Sequence, residues 1–338
     1  MTTYQRLAKT GVHRIGTAKS GFRYRRASGE PVSGAERERI IALRIPPAWT
    51  DVVINASEQG AVQAIGKDAA GRLQYRYHAA RVRRREGEKY RRLVDFAAAL
   101  PRLRGRVARD LSSPGLTREK VLACVLRILA TCFIRPGSQV YAQENGSYGI
   151  TTVRRKHTAV KGDLVAFDFP GKSGKPQHGQ IRDRRVARVV RCCLRLPGHE
   201  VFKWRNGDGA LVDVRRRHIN EYIKEVMGDQ FSAKDFRTWA GTLVCASALA
   251  REGATPDEST TARKRKIVAA VKETAATLGN TPAICRSSYI YPPVLTGFER
   301  GRVMHSHFDT VEELVTRSPH GLRAPEKALL ELLREKAA

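Results

Sequence analysis

Near the carboxyl end the chain reads "GNTPAICRSSYIYP", Gly279 to Pro292, and sets an asparagine at a helix junction ahead of two tyrosines, Tyr289 and Tyr291. Thr281 and Pro282 make a good N-cap and first helical residue, and Gly279 suits the end of the helix before it. Asn280 therefore lies in a tight helix-to-helix connection. From there to Tyr289 is about two and a half helical turns, and a kink would bring both side chains over one site. A tyrosine hydroxyl, with an ordinary pKa of about 10, is a poor nucleophile near neutrality unless cations and hydrogen-bond donors stabilise the reaction. The stretch "FSAKDFRTWAGT" offers such cations. Ser232 and Asp235 have the spacing of a capping box, so a helix should begin there, with Lys234 and Arg237 near one another on its first turns. Two cations at the positive end of a helix repel each other and the dipole, which makes sense if a phosphate neutralises both. Arg135, in "CFIRPGSQVYAQENGSYGI", stands where the helical pattern stops at Pro136 and Gly137, a break from which a side chain can reach a cleft. Each piece also has a plain structural reading: a cap followed by aromatic packing for the tyrosines, and an arginine favoured by the dipole at a helix end for Arg135.

The elements that must carry these residues fall into two groups. The first 80 or so residues are rich in Gly, Arg and short apolar alternations. "ALRIPPAWTDVVI" and "GAVQAIGKDAAGRLQYRYH" read as strands broken by turns, with one short helix around "GAERERIIAL". Arg and aromatic residues interleave in "RLQYRYHAARVRRR", as on a surface that meets phosphates and sugars, although solvated strand edges look the same. From "EGEKYRRLVDFAAALPRLRGRVARDL" the period becomes helical, which predicts domains over 1–85 and 86–338. "LTREKVLACVLRILATCFI" continues the helical reading, with Thr117 at its start. A β interlude follows in "GSYGITTVRRKHTAV", "LVAFDFP" and "PQHGQI", joined by turns at "KGD" and "GKSGK", so that Lys172 sits at or near a hairpin tip. Helices resume through "RDRRVARVVRCCLRLPG", "ALVDVRRRHINEYIKEVMG", "SAKDFRTWAGTLVCASALAREG", "TARKRKIVAAVKETAATLG" and "PEKALLELLREKAA". The fold class predicted is α+β: a small β-rich amino-terminal domain and a larger, mostly helical domain with a three-stranded β insert.

Charge narrows the partners. The 338 residues hold 62 Lys and Arg against 33 Asp and Glu, a formal net charge of +29. Such an excess costs self-repulsion that a polyanion would relieve, and duplex DNA or RNA is the commonest one, with acidic membrane as the other candidate. At 41% hydrophobic residues the chain is not disordered throughout. It has no apolar run of spanning length, and "MTTYQRLAKTGVHRIG" lacks a secretory pattern, so a soluble cytoplasmic protein is expected. The six cysteines have no two-by-two ligand spacing and suit reduced core positions; Cys192, Cys193 and His199 fall short of a four-ligand site.

At this point the residues carry a resemblance. Arg135 in "FIRPGSQVYAQENGSYGITTVRRKH", Lys172 in "FPGKSGK", Arg237 in "SAKDFRTWAGT", Asn280 in "GNTP" and Tyr289 in "CRSSYIYP" resemble, in order, the catalytic set of the type IB DNA topoisomerases. The likeness is greatest to the compact bacterial and poxviral members and extends over almost the whole chain, with "IPPAWTDVVI" and "QAIGKDAAGRLQYRYH" similar to their amino-terminal domain. The resemblance implies a C-shaped clamp on duplex DNA, a monomer working on the nucleoid in the cytoplasm, and relaxation of supercoils through a 3′-phosphotyrosine. It implies no need for ATP or a divalent metal. By the same likeness Arg135 and Arg237 would hold the scissile phosphate, Lys172 would protonate the departing 5′ oxygen, Lys234 would add charge near that phosphate, and Tyr289 would attack. Asn280 occupies a position that is histidine in poxviral and eukaryotic members; its amide can donate to a phosphoryl oxygen but cannot shuttle a proton. Tyrosine recombinases share a related constellation, and an architectural DNA binder would also suit the charge.

Overall fold

The computed structural model describes residues 1–255, 257–310, 313 and 321–334. The chain divides into two compact units, Met1–Tyr90 and Arg91–Ala338.

In the first unit five antiparallel strands form one sheet: β1 (Val12–Thr17), β2 (Gly21–Arg26), β3 (Thr50–Ile54), β4 (Val62–Lys67) and β5 (Leu73–Tyr77), in the order β2-β1-β3-β4-β5. Two helices accompany it, α1 (Thr3–Thr10) and α2 (Gly34–Ala42). The unbroken apolar run Val52–Val53–Ile54 explains why both are needed, because successive side chains of a strand point to opposite faces. Val52 and Ile54 pack in a core cluster with Ile40 of α2, whereas Val53 joins Ile65 and Leu7 of α1. The sequence reading expected one helix here and missed α1. That helix buries only Leu7 and starts on a polar pair: the Thr2 N–H donates to Gln5 Oε1 at 2.8 Å and the Thr2 hydroxyl accepts the Gln5 N–H at 3.2 Å. Its apolar face is only Tyr4, Leu7 and Ala8, too short to stand out in the sequence.

The interleaved arginines and aromatics of β5 separate by the two-residue period. Tyr75 and Tyr77 are exposed, and their rings stack at 5.9 Å with 13° between planes. Arg76 turns the other way and donates to the Arg44 carbonyl at 2.6 Å.

The second unit is mostly helical. The long helix α3 (Ala79–Ser112) runs through the division between the units and buries Leu93, Phe96, Ala97, Leu100, Leu103, Val107 and Leu111, spaced to fall on one face. The helices α4 (Arg118–Cys132) and α8 (Ala233–Glu252) are buried nearly all round, as their small and apolar residues permit. Between them come α5 (Gln139–Asn145), the three-stranded sheet β6 (Thr158–Lys161), β7 (Leu164–Pro170) and β8 (Pro176–Arg182), then α6 (Arg184–Arg195), the hairpin β9 (Lys203–Arg205) and β10 (Leu211–Asp213), and α7 (Arg216–Met227). After α8 follow α9 (Thr260–Leu278), α10 (Pro282–Ser288), α11 (Pro292–Glu299) and a helix over Ala324–Arg334. The final residues of "PEKALLELLREKAA", 335–338, lie outside the described residues. Among the described residues no helix is long and apolar enough to cross a membrane.

Two sequence expectations change. "ALVDVRRRHINEYIKEVMG" is not one helix: Leu211, Val212 and Asp213 pair with Arg205, Trp204 and Lys203, and the helix starts only at Arg216. The turn "NGDG" explains this, since the Asn206 side chain accepts the Ala210 N–H at 2.8 Å and closes the hairpin. In "GSYGITTVRRKHTAV" only the end is strand, because the first part is tied to the Arg135 segment.

Candidate active site

Arg135 owes its place to two backbone features. Helix α4 ends at Cys132, earlier than the Pro136–Gly137 break suggested, and Phe133 follows it in the left-handed region at φ 52°. A non-glycine residue there is uncommon, and such conformations persist only where the surroundings enforce them. Past it, the segment around Gly149 lies directly on Arg135–Gly137. The Ile150 N–H donates to the Arg135 carbonyl at 2.9 Å and the Thr151 N–H to the Pro136 carbonyl at 2.9 Å. A Cβ on Gly149 would come within 2.5 Å of the Arg135 carbonyl oxygen, so only glycine fits this crossing.

Arg237 enters from the first turns of α8. Its helix starts where the sequence indicated, with the Asp235 carboxylate accepting both the Ser232 N–H and the Ser232 hydroxyl at 2.9 Å. Only 2% exposed, Arg237 donates to the carbonyls of Phe133 and of Leu278, the latter at 2.7 Å. One guanidinium thus ties the ends of α4 and α9 to α8. The left-handed turn at Phe133 belongs to this arrangement, since that residue's carbonyl receives one of the bonds. Nothing in the sequence pointed to it, because phenylalanine is no signal for a left-handed residue.

Asn280 follows the left-handed Gly279 that ends α9, and its N–H donates to the Ala275 carbonyl at 2.9 Å. Arg135 donates to the Asn280 side-chain oxygen and, at 3.4 Å, to the Gly279 carbonyl. This fixes the amide with its nitrogen turned elsewhere. The Asn280 Nδ2 is buried without a hydrogen-bond partner, and so is the Arg237 Nε. Buried donors seldom go unpaired, and two in one site suit a ligand that accepts hydrogen bonds.

Tyr289 caps α10, its N–H donating to the Cys285 carbonyl at 2.9 Å. The Arg237 guanidinium lies 5.1 Å from the centre of its ring. Burial opposes ionisation of the phenol, but the charge of Arg237 and its hydrogen bond, with Arg135 and Lys234 behind, hold its pKa below the ordinary tyrosine value. In turn burial, the repulsion of Arg135 and the opposing pull of Tyr289 leave Arg237 lowered to about 10. Tyr291 differs: burial raises its pKa above the ordinary tyrosine value. The two neighbouring phenols are thus shifted in opposite directions.

Four of the six sequence candidates, Arg135, Arg237, Asn280 and Tyr289, come together through these contacts. Lys234 is exposed and acts on Tyr289 through its charge. Lys172 is not brought into the group. It is exposed on the turn Lys172–Gly174 between β7 and β8, and among the described residues no hydrogen bond or ion pair joins it to the other five. The base of its hairpin is nevertheless close. Gln177 of β8 is buried, and its Oε1 is 2.9 Å from where a Cβ on Gly279 would stand, beside Asn280. Sequence reading missed Gln177, which looks like any polar residue of a short strand. Among the described residues no three His, Cys, Asp or Glu side chains are grouped as metal ligands.

Comparison with known proteins bears on the same residues. A family model described as the catalytic core of eukaryotic DNA topoisomerase I matches residues 78–290, which hold all six candidates. A second, the N-terminal domain of bacterial DNA topoisomerase IB, matches residues 21–68. The chain is 32% identical over 314 residues to DNA topoisomerase 1B of Acanthamoeba polyphaga mimivirus, covering 90% of this chain and 93% of that protein. It is 25% identical over 262 residues to DNA topoisomerase I of Monkeypox virus and to DNA topoisomerase 1B of Vaccinia virus (strain Copenhagen), covering 75% of this chain and 79% of each.

Proposed function

Because the chain belongs to the type IB DNA topoisomerases, we propose that it relaxes supercoiled duplex DNA by cutting and resealing one strand through Tyr289, without ATP or a divalent metal. The observation that carries this reading is the pairing of Arg237 with Tyr289 and of Arg135 with Asn280, with the Arg237 Nε and Asn280 Nδ2 left to donate to a phosphate.

The Tyr289 oxygen attacks the scissile phosphorus and the bond to the 5′ oxygen breaks, leaving the 3′ end on the tyrosine. The phenol's proton goes to solvent, and Lys172 gives a proton to the departing oxygen. Charge that builds on the non-bridging oxygens is met by Arg135, Arg237 and the Asn280 amide, fixed before the reaction by the contacts described above. Arginine suits this work because its planar fork matches a phosphate. Asn280 has no acid or base role, since an amide does not titrate near neutrality. One phosphoester replaces another, so the energy of the broken bond is kept for resealing and no ATP is consumed. The cations do the neutralising that a metal performs elsewhere. While the strand is open, rotation of its free end dissipates superhelical strain.

The net charge of +29 favours binding to any duplex through its phosphates. Since one chain supplies every residue in this scheme, the protein acts as a monomer, and its substrate puts it on nucleoid DNA in a bacterial cytoplasm.

Incubation with a supercoiled plasmid in EDTA and without nucleotide tests the reading. Expected is a ladder of partly relaxed topoisomers that runs on to full relaxation. A requirement for ATP or magnesium would contradict the scheme. A topology unchanged on a plasmid without special sites would favour a recombinase or an architectural binder.

A further inference from the structure

The mechanism uses the phenol of Tyr289 but leaves open what holds its backbone. Helix α10 ends just before it, and a chain leaving a helix is free to swing unless something grips it. The grip comes from α8, one turn beyond Arg237. Thr242 is fully buried at 0% exposure, and its hydroxyl stands between the residues on either side of Ile290. The Tyr291 N–H donates to the Thr242 Oγ1 at 3.2 Å, and the same oxygen lies 3.2 Å from the Tyr289 carbonyl. Its single proton also has the Thr238 carbonyl within reach at 2.9 Å. A threonine in a helix commonly spends its hydroxyl on the carbonyl four residues back. Here the hydroxyl in addition brackets the nucleophile.

The preceding residue makes this approach possible. A Cβ on Gly241 would stand 2.8 Å from the Tyr289 carbonyl oxygen, closer than real Cβ atoms come, and a tight 3.0 Å from the Tyr289 Cβ. Gly241 is thus the place where α8 lets Tyr289 settle against it. Ile290, itself 0% exposed, anchors the stretch in the core. Since Arg237 stands on the same helix, the seat sets the distance between the tyrosine and the cation that favours its ionisation.

We propose that Gly241 and Thr242 are positioning residues that hold Tyr289 in line for reaction: the glycine admits the tyrosine backbone to α8, and the threonine hydroxyl clamps the peptide groups around Ile290. The inference rests on Tyr289 being the nucleophile. Neither residue touches the reacting atoms. Both act through the placement of Tyr289.

Thr242→Val keeps the shape and removes the hydroxyl, whereas Thr242→Ser restores it. Misplacement of a reacting group by about 1 Å can cost about 100-fold in rate. Single-turnover cleavage at saturating DNA should therefore slow by about 100-fold in the valine variant and return to within a few-fold of wild type in serine, with DNA affinity unchanged in both. Gly241→Ala leaves the hydroxyl intact and should slow cleavage as much, so the test survives if the valine variant does not fold. A role in stability alone would lower the melting temperature and spare the rate. A second readout does not depend on activity. In protein labelled with 13C at the tyrosine Cζ, the Tyr289 resonance should move in Thr242→Val and Gly241→Ala and stay put in Thr242→Ser, because its distance to Arg237 changes only in the first two. Valine and alanine variants that cleave at the wild-type rate, a serine variant as slow as valine, or an unmoved Tyr289 resonance would each overturn the proposal. If the wild-type protein forms no adduct with DNA, the nucleophile reading fails, and the resonance shifts still decide whether the seat exists.

Discussion

Tyr289→Phe abolishes the covalent DNA adduct and slows relaxation by at least about 10,000-fold, the scale expected when the nucleophile of a covalent mechanism is removed. Only one oxygen is lost, and the ring stays beside Arg237, whose guanidinium lies 5.1 Å from its centre. Binding to duplex DNA therefore persists, since affinity for the backbone comes from the many cations of the chain. Tyr291→Phe is the matched control. Burial pushes its phenol up, the opposite direction from Tyr289, and the variant keeps both adduct and relaxation. A gel under denaturing conditions with end-labelled duplex reads the adduct, and a filter or mobility assay reads binding. Loss of adduct in Tyr291→Phe with retention in Tyr289→Phe would reverse the assignment.

The second large effect concerns the residue that the structure leaves apart. An alkoxide is a poor leaving group, so a general acid aimed at the 5′ oxygen accelerates cleavage by about 100- to 10,000-fold. Lys172→Ala slows cleavage of ordinary DNA by that factor and weakens binding little. Lys172 is exposed on the turn between β7 and β8, and the contact of Gln177 with Gly279 sets the base of that hairpin beside Asn280, from which the proposed mechanism has Lys172 reach the leaving oxygen. A duplex with sulfur in place of the bridging 5′ oxygen separates the roles, because a thiolate leaves without a strong acid. On that substrate the Lys172→Ala rate returns nearly to wild type, whereas Arg237→Ala remains slow for want of charge at the phosphoryl oxygens. Rescue of both variants, or of neither, would show that Lys172 is no proton donor.

The candidate site was legible where its residues coincide with punctuation of the chain. Asn280 stands between the Gly279 stop and the Thr281–Pro282 start, and Arg237 follows the Ser232 and Asp235 start of α8; both signals are local, so the sequence could give them. The order of elements around the three-stranded insert was readable for the same reason. What escaped is set by contacts between distant parts of the chain. The left-handed Phe133 gives its carbonyl to Arg237, more than a hundred positions away. Helix α1 has only the short apolar face of Tyr4, Leu7 and Ala8, which gains meaning when Val53 and Ile65 fold against it. The hairpin of β9 and β10 was hidden beneath the charge pattern of "VRRRHINEYIKEV", which resembles a helix continuing upstream. Gln177 and Thr242 are single polar residues whose meaning appears only when Gly279 and Tyr289 fold against them.

In the proposed reaction Tyr289 becomes joined to the 3′ end of a cut strand. The direct measurement is to trap the wild-type protein on a labelled duplex whose short downstream piece escapes after cutting, digest the complex with trypsin, and sequence the peptide that carries the nucleotide. Expected is a single modified residue, Tyr289, linked through a 3′ phosphate with a free 5′ hydroxyl on the released piece. A nucleotide on Tyr291, a 5′ linkage, or no modified peptide from a protein that still relaxes plasmid DNA would contradict it.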